Sequence, residues 1–219
     1  MQTHQIKNHM MSLTVAEHGA EITSIQLEGI ERMWDADPAF WGRTAPVLFP
    51  IVGALKDNSY RYEGQTYLMG QHGFARDMDF TLTDQTEDKL EFTLFDNEET
   101  YEKYPFHFQL QIIYEVFQNQ CRVTWKVKNM DDKTMYFQIG GHPAFACPCE
   151  GGMIRDDYSA PENLRFWKWH FWKMDFLATK KNFIPMNLYW KRILLHVMRL
   201  FCKMRRSDVW NLSIICPIR

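Results

Sequence analysis

The sequence predicts an all-β protein, a sandwich of antiparallel strands, on three observations. Across residues 12–145, apolar side chains, many of them β-branched or aromatic, alternate with polar ones at a period of two, which turns one face of each segment toward a core. Short polar turns interrupt that alternation at regular spacing, and helical periodicity is weak. With 219 residues, 46% hydrophobic and 15% aromatic, the chain is long enough to bury such a core.

Residues 59–68 read as a hairpin turning at Glu63-Gly64, where glycine takes a positive φ without strain. Strands are expected over residues 89–95 and 108–116, the second turning through Gln118-Asn119-Gln120 into a third over residues 121–128.

The formal net charge of −2 argues against a nucleic-acid binder, since phosphate recognition needs a clustered positive field. That average conceals a split. From Tyr158 onward there are 12 Lys and Arg against 3 Asp and Glu; the preceding part therefore holds 13 and 24 of the totals of 25 and 27. All 11 glycines lie at or before Gly152, whereas five of the eight tryptophans follow it. Residues 1–157 are therefore read as one β-sandwich unit and residues 158–219 as a basic, Trp-rich, glycine-free tail. A slipped reading frame near Tyr158 would change composition in this way, because loss of glycine, loss of acid and gain of tryptophan begin together. The alternative is a basic amphipathic helix over residues 187–206 lying on a membrane or partner, but its patterning is ragged, so membrane contact is not expected.

Five cysteines, an odd number, give no disulfide framework and suit a reducing compartment. Cys147 and Cys149 lack a second pair at zinc-site spacing, so no metal is expected. The first fifteen residues, MQTHQIKNHMMSLTV, contain no signal-peptide core, and no apolar run spans a bilayer; the expected location is the cytoplasm.

Two histidines have unusual surroundings: His72 in Gly70-Gln71-His72-Gly73-Phe74-Ala75-Arg76-Asp77 and His142 in Gly140-Gly141-His142-Pro143-Ala144-Phe145. Small neighbours let a ligand approach, and an ordinary imidazole titrates near neutrality, which suits proton transfer. The plainer alternative is a pair of loop histidines bonded to backbone. Arg76 either borders the same pocket as His72 or makes a surface ion pair with Asp77. The cluster Trp34-Asp35-Ala36-Asp37-Pro38-Ala39-Phe40-Trp41-Gly42-Arg43 mixes rings and charges as a sugar site does, and as an ordinary sandwich edge does. Asp35 and Asp37 are too close in one turn to be convincing as a glycosidase couple.

Taken in order, Trp34-Asp35, Trp41-Gly42-Arg43, the run Ala45-Pro46-Val47-Leu48-Phe49-Pro50-Ile51-Val52-Gly53, His72-Gly73-Phe74-Ala75-Arg76 and Gly140-Gly141-His142-Pro143-Ala144-Phe145 resemble the aldose 1-epimerase superfamily, in particular its LacX-like branch, over about residues 11–157. The resemblance implies a galactose-mutarotase-like supersandwich, incomplete at the C-terminus. It also implies interconversion of the α and β anomers of a hexose or related aldose, without cofactor or metal. By motif position His142 matches the general acid and His72 a second histidine that hydrogen-bonds the sugar. Arg76, and with it Arg43, matches substrate contacts, to a hydroxyl or, in hexose-phosphate relatives, a phosphate. Ala54 stands where galactose mutarotases carry an arginine. The family's glutamate base belongs near the C-terminus, and beyond Asp157 the one glutamate is Glu162, in an unrelated context. Little activity is therefore expected from the chain as it stands. The alternative is a carbohydrate-binding module without catalysis.

Overall fold

The structure is a computed structural model, and it describes residues 1–146, 149–150, 153–154, 193–195, 200–205 and 208–218. Among these the chain is strand, turn, one short α-helix and two single-turn 3-10 helices, Lys56–Asn58 and Ala75–Asp77. The first sheet is a meander of β1 (Thr3–Lys7), β2 (Met11–Ala16), β3 (Ile22–Leu27) and β4 (Ile30–Glu31). After β5 (Val47–Leu48) comes the expected hairpin, β6 (Ser59–Tyr62) and β7 (Gln65–Leu68). Its turn residues Glu63 and Gly64 have φ of 48° and 82°, the left-handed pair that matches the twist of a two-residue hairpin loop.

The largest sheet is built on β8 (Thr81–Gln85), β9 (Lys89–Phe95), β10 (Phe108–Phe117) and β11 (Gln120–Asn129), with α1 (Glu98–Lys103) between β9 and β10. The alternation that predicted β10 is the cause of its burial: Phe108, Leu110, Ile112, Tyr114 and Val116 are all less than 5% exposed. They share one core with Leu13 and Val15 of the first sheet and with Leu90 and Phe92 of β9. Each buried phenol finds an acceptor, Tyr114 donating to the Ala20 carbonyl at 2.7 Å and Tyr104 to that of Tyr136 at 2.9 Å. Helix α1 was not foreseen, being too short for periodicity. Its start is a capping box in which Asn97 accepts from Thr100 N at 2.9 Å and Thr100 Oγ1 accepts from Asn97 N at 2.8 Å.

A third sheet pairs β5 with β12 (Met135–Gly141), followed by the short strands β13 (Ala144–Ala146), β14 (Cys149–Glu150) and β15 (Met153–Ile154). Three strands come from the basic tail: β16 (Ile193–Leu195) pairs with β13, β17 (Leu200–Met204) with β12, and β18 (Val209–Pro217) with β11. The helix weighed over residues 187–206 is therefore strand wherever that span is regular among the described residues, and the rest of it lies outside them. The physical reason is edge satisfaction: β11 and β12 present backbone groups that an apolar segment can pair, whereas a helix would leave them open. Trp210 of β18 stands edge-on to Phe137 at 5.7 Å, and Thr124 Oγ1 and Ser213 Oγ are 2.6 Å apart across the β11–β18 pair. No helix among the described residues is long and apolar enough to cross a membrane.

Candidate sugar site

The site grows from one carbonyl. Phe49 is fully buried, its ring 5.1–6.3 Å from those of Phe74, Tyr104, Phe108 and Phe137. Its carbonyl oxygen accepts from both Phe74 N at 3.0 Å and Ala75 N at 3.1 Å, so the segment after His72 is docked on a fully buried residue of the core. That docking requires Gly73. A Cβ there would lie 2.2 Å from the Phe49 oxygen, and φ is +73°.

His72 precedes this contact with φ of 68°, unusual for a residue with a side chain. Two bonds to one residue hold it: His72 N donates to the Gly53 carbonyl at 2.8 Å, and Gly53 N donates to His72 Nδ1 at 3.0 Å. An Nδ1 that accepts leaves the neutral ring's proton on Nε2. His72 is therefore a donor at Nε2. The Gln71 amide nitrogen is placed 3.3 Å from that atom; two donors cannot bond, so the amide is assigned the flipped orientation that turns its oxygen to His72.

His142 follows β12, whose end is held against β5 by the pairs Gly140–Leu48 and Gly141–Val47. Gly141 lets the strand lie against the Trp125 ring, where a Cβ would come within 3.1 Å of Cζ2. His142 N donates to the Pro46 carbonyl at 3.1 Å, and its ring lies 5.0 Å from Trp41 and 6.2 Å from His72. His142 Nδ1 is buried without a hydrogen-bond partner.

Burial sets the protonation of both rings. His72 is lowered from 6.5 to about 4, first by desolvation, then by the charge of Arg76 and by His142. His142 is lowered as well, chiefly by burial and secondarily by Arg76. The charge of Arg76 is thus felt by both rings. Since the folded His72 binds its proton more weakly than the unfolded chain does, its contribution to stability is fully present above pH 6.5 and is lost as pH falls from 6.5 toward 4. Discounted for partial exposure, the expected loss is about 1–2 kcal/mol. Urea melts at pH 7 and pH 4.5 check it, with His72→Gln expected to flatten that part of the pH dependence.

Arg76 donates through Nη2 to the Gln71 carbonyl at 3.0 Å, while its Nε is buried without a hydrogen bond and lies 3.6 Å from Asp77 Oδ2. The surface pair foreseen with Asp77 is thus loose, because Asp77 Oδ1 is taken by Arg43 Nη2 in a direct ion pair. Arg43 also donates to the Arg76 carbonyl at 3.3 Å and lies 3.6 Å from Glu21 Oε2. Its guanidinium is committed to protein partners. Asp35 and Asp37 accept from the backbone of Asp37 and Ala39 and shape the loop that carries Trp41. Among the described residues no group of three His, Cys, Asp or Glu is arranged to hold a metal ion.

Sequence reasoning brought forward His72, His142, Arg76 and Arg43, and the fold gathers all four. It passed over Glu21, Gly53 and Gln71, whose roles arise from contacts distant in sequence or from backbone atoms. Trp41 was visible as a ring in an aromatic cluster, but its packing on His142 was not.

Comparisons with known proteins bear on the family and the fold. The family described as aldose 1-epimerase matches residues 2–169. This chain belongs to the aldose 1-epimerase family. Among curated members, the plasmid-encoded protein LacX of Lactococcus lactis subsp. lactis is 36% identical over 164 residues, covering 72% of this chain and 55% of that protein. Among solved structures, a galactose mutarotase related enzyme from Lactobacillus acidophilus superposes with a TM-score of 0.68 at 44% identity, over 71% of this chain and 53% of the other. A galactose mutarotase-like protein from Lactobacillus casei gives a TM-score of 0.68 at 37% identity, over 70% and 53%. This epimerase-family chain thus spans about half the length of the relatives it matches. The family match begins at residue 2 and passes Asp157, so it is wider at both ends than the motifs alone indicate.

Proposed function

We propose that the cleft between His72 and His142 binds a free aldose and is the acid half of an aldose 1-epimerase site. The observation that carries the reading is the pair of imidazoles, one with Nδ1 accepting from Gly53 N and its proton therefore on Nε2, the other with Nδ1 buried, their rings 6.2 Å apart and Trp41 5.0 Å from His142. In this reading His142, neutral at rest because burial lowers its pKa, acts from its protonated form to give a proton to the ring oxygen, His72 donates to a sugar hydroxyl, and Arg76 contacts a second hydroxyl. Arg43 holds Arg76 from behind, and Trp41 offers a ring to an apolar sugar face. Ring opening, rotation about C1 and closure then exchange the anomers, provided a base takes the anomeric hydroxyl proton.

Of the carboxylates at this cluster among the described residues, Asp77 faces Arg43, and Glu21 is occupied by Thr44, Ala45 and Arg43, so neither is assigned as that base. The 219-residue chain is accordingly assigned binding with little acceleration. A chimera joining residues 1–157 to the C-terminal part of the Lactobacillus acidophilus relative is assigned full turnover. The test is polarimetry of freshly dissolved α-D-glucose and α-D-galactose with both proteins, with saturation-transfer NMR for binding. Binding by both and acceleration by the chimera support the reading; no binding by either and no acceleration by the chimera overturn it. Galactose has no privileged place among the substrates, because Ala54, exposed beside the Gly53 that holds His72, offers no cation; a hexose-6-phosphate arm tests whether Arg76 takes a phosphate instead.

A further inference from the structure

Glu21 lies at the start of β3, 8% exposed, in none of the motifs that mark the site. A buried carboxylate needs compensation, and this one receives it entirely from the segment that leads into β5. Its Oε1 accepts from Thr44 N at 2.6 Å and Ala45 N at 2.8 Å and lies 3.0 Å from Thr44 Oγ1, which also approaches the Ile22 carbonyl at 2.5 Å. Its Oε2 faces Arg43 Nη1 at 3.6 Å. The segment so gripped is the one that supports the second histidine: the Thr44 carbonyl accepts from Ala144 N at 2.7 Å, and the Pro46 carbonyl accepts from His142 N at 3.1 Å. The grip continues on the other side. Gly19, two residues before Glu21, is pressed so closely on the Arg76 carbonyl that a Cβ would lie 2.8 Å from its oxygen, and Gly19 N donates to the Met78 carbonyl at 2.8 Å. One turn between β2 and β3 therefore touches both arms of the cleft.

We infer that Glu21 is a positioning residue for the sugar site: its carboxylate fixes the Thr44–Ala45 backbone and the Arg43 guanidinium, and through them the mutual placement of His142 and Arg76. The inference rests on the proposed sugar-binding role only for its consequence in affinity, not for the positioning itself. Asp77 does not substitute for Glu21, because it is half-exposed, holds Arg43 from the solvent side and touches neither Thr44 nor Ala45 in any hydrogen bond found among the described residues.

The test compares the full 219-residue chain with its Glu21→Gln variant, which keeps the shape and an acceptor oxygen but removes the charge. In ¹⁵N–¹H spectra the Arg43 side chain, assigned by its disappearance in Arg43→Lys, is expected to show restricted Nη exchange in the wild type and faster, averaged exchange in Glu21→Gln. The His142 ring signals are expected to shift in the same variant, while those of His72, tied to Gly53, stay in place. Hexose dissociation constants are expected to rise about tenfold, as the loss of one charge-assisted contact implies. Should Glu21→Gln fail to fold, Thr44→Val, which removes one group from Oε1 and leaves the carboxylate, is expected to move the same Arg43 and His142 signals by less. Unchanged Arg43 and His142 signals in a folded variant overturn the inference, whether or not a hexose binds. The expected spectral changes in a wild-type chain that binds no hexose would fail the sugar-site reading and leave the positioning role standing.

Discussion

Gly73→Ala is expected to destabilise the protein by about 3–4 kcal/mol and to abolish hexose binding. Two separate costs add. The residue sits at φ +73°, where a side chain costs about 1–2 kcal/mol. The new Cβ would lie 2.2 Å from the Phe49 oxygen and 2.7 Å from Pro50 N, backbone atoms that cannot swing aside, so the segment must lift and lose the Phe74 and Ala75 hydrogen bonds to that carbonyl. Overpacking of this kind costs a further ~1–3 kcal/mol. Gly64→Ala separates the two costs, because Gly64 has a similar φ of +82° but nothing within 4 Å of the added methyl. It should lose only the ~1–2 kcal/mol of backbone strain and keep hexose binding. Urea unfolding of both variants measures the difference, and equal midpoints would show that the docking on Phe49 is not what holds the His72 loop.

The second large effect is expected at His142. In the chimera that carries the relative's C-terminal part, His142→Ala should slow anomer exchange by about 10²- to 10⁴-fold, the usual worth of a positioned acid, with the loss falling on kcat. The structural ground is that the Nδ1 of this ring is buried, which leaves Nε2 for the proposed transfer, and that Trp41 flanks the ring at 5.0 Å. His142→Gln, which can donate a hydrogen bond but not transfer a proton, should retain sugar affinity while remaining slow. His72→Ala should instead raise KM by roughly tenfold and spare kcat more, since its fixed Nε2–H is assigned to binding. Spontaneous mutarotation in buffer supplies the baseline. Equal losses in kcat at both histidines would reassign the acid.

Much of the scaffold was legible before any coordinates because its signals are local. The hairpin of β6 and β7 follows from Glu63-Gly64 between alternating segments, and β9 occupies the expected residues because Leu90, Phe92 and Leu94 alternate with polar neighbours. The capping box of α1 was also present in Asn97 and Thr100, but six residues show too little periodicity to be recognised. The tail was harder to read. Ragged apolar and basic runs fit neither period cleanly, and β17 and β18 are strands because β12 and β11 offer edges to pair, a condition that no window of sequence contains.

The sequence by itself determined the family and the antiparallel architecture of the first three-quarters and brought the two histidines forward as candidates, since each is written in motifs of a few contiguous residues. Only the tertiary structure decided how those residues work together. The tautomer of His72 comes from Gly53, the isolation of His142 Nδ1 from burial, and the commitment of Arg43 from Glu21 and Asp77 at sequence separations of 22 and 34 residues. Protonation and hydrogen-bond direction depend on desolvation and on partners within about 3 Å, and those are properties of a packed neighbourhood rather than of a segment.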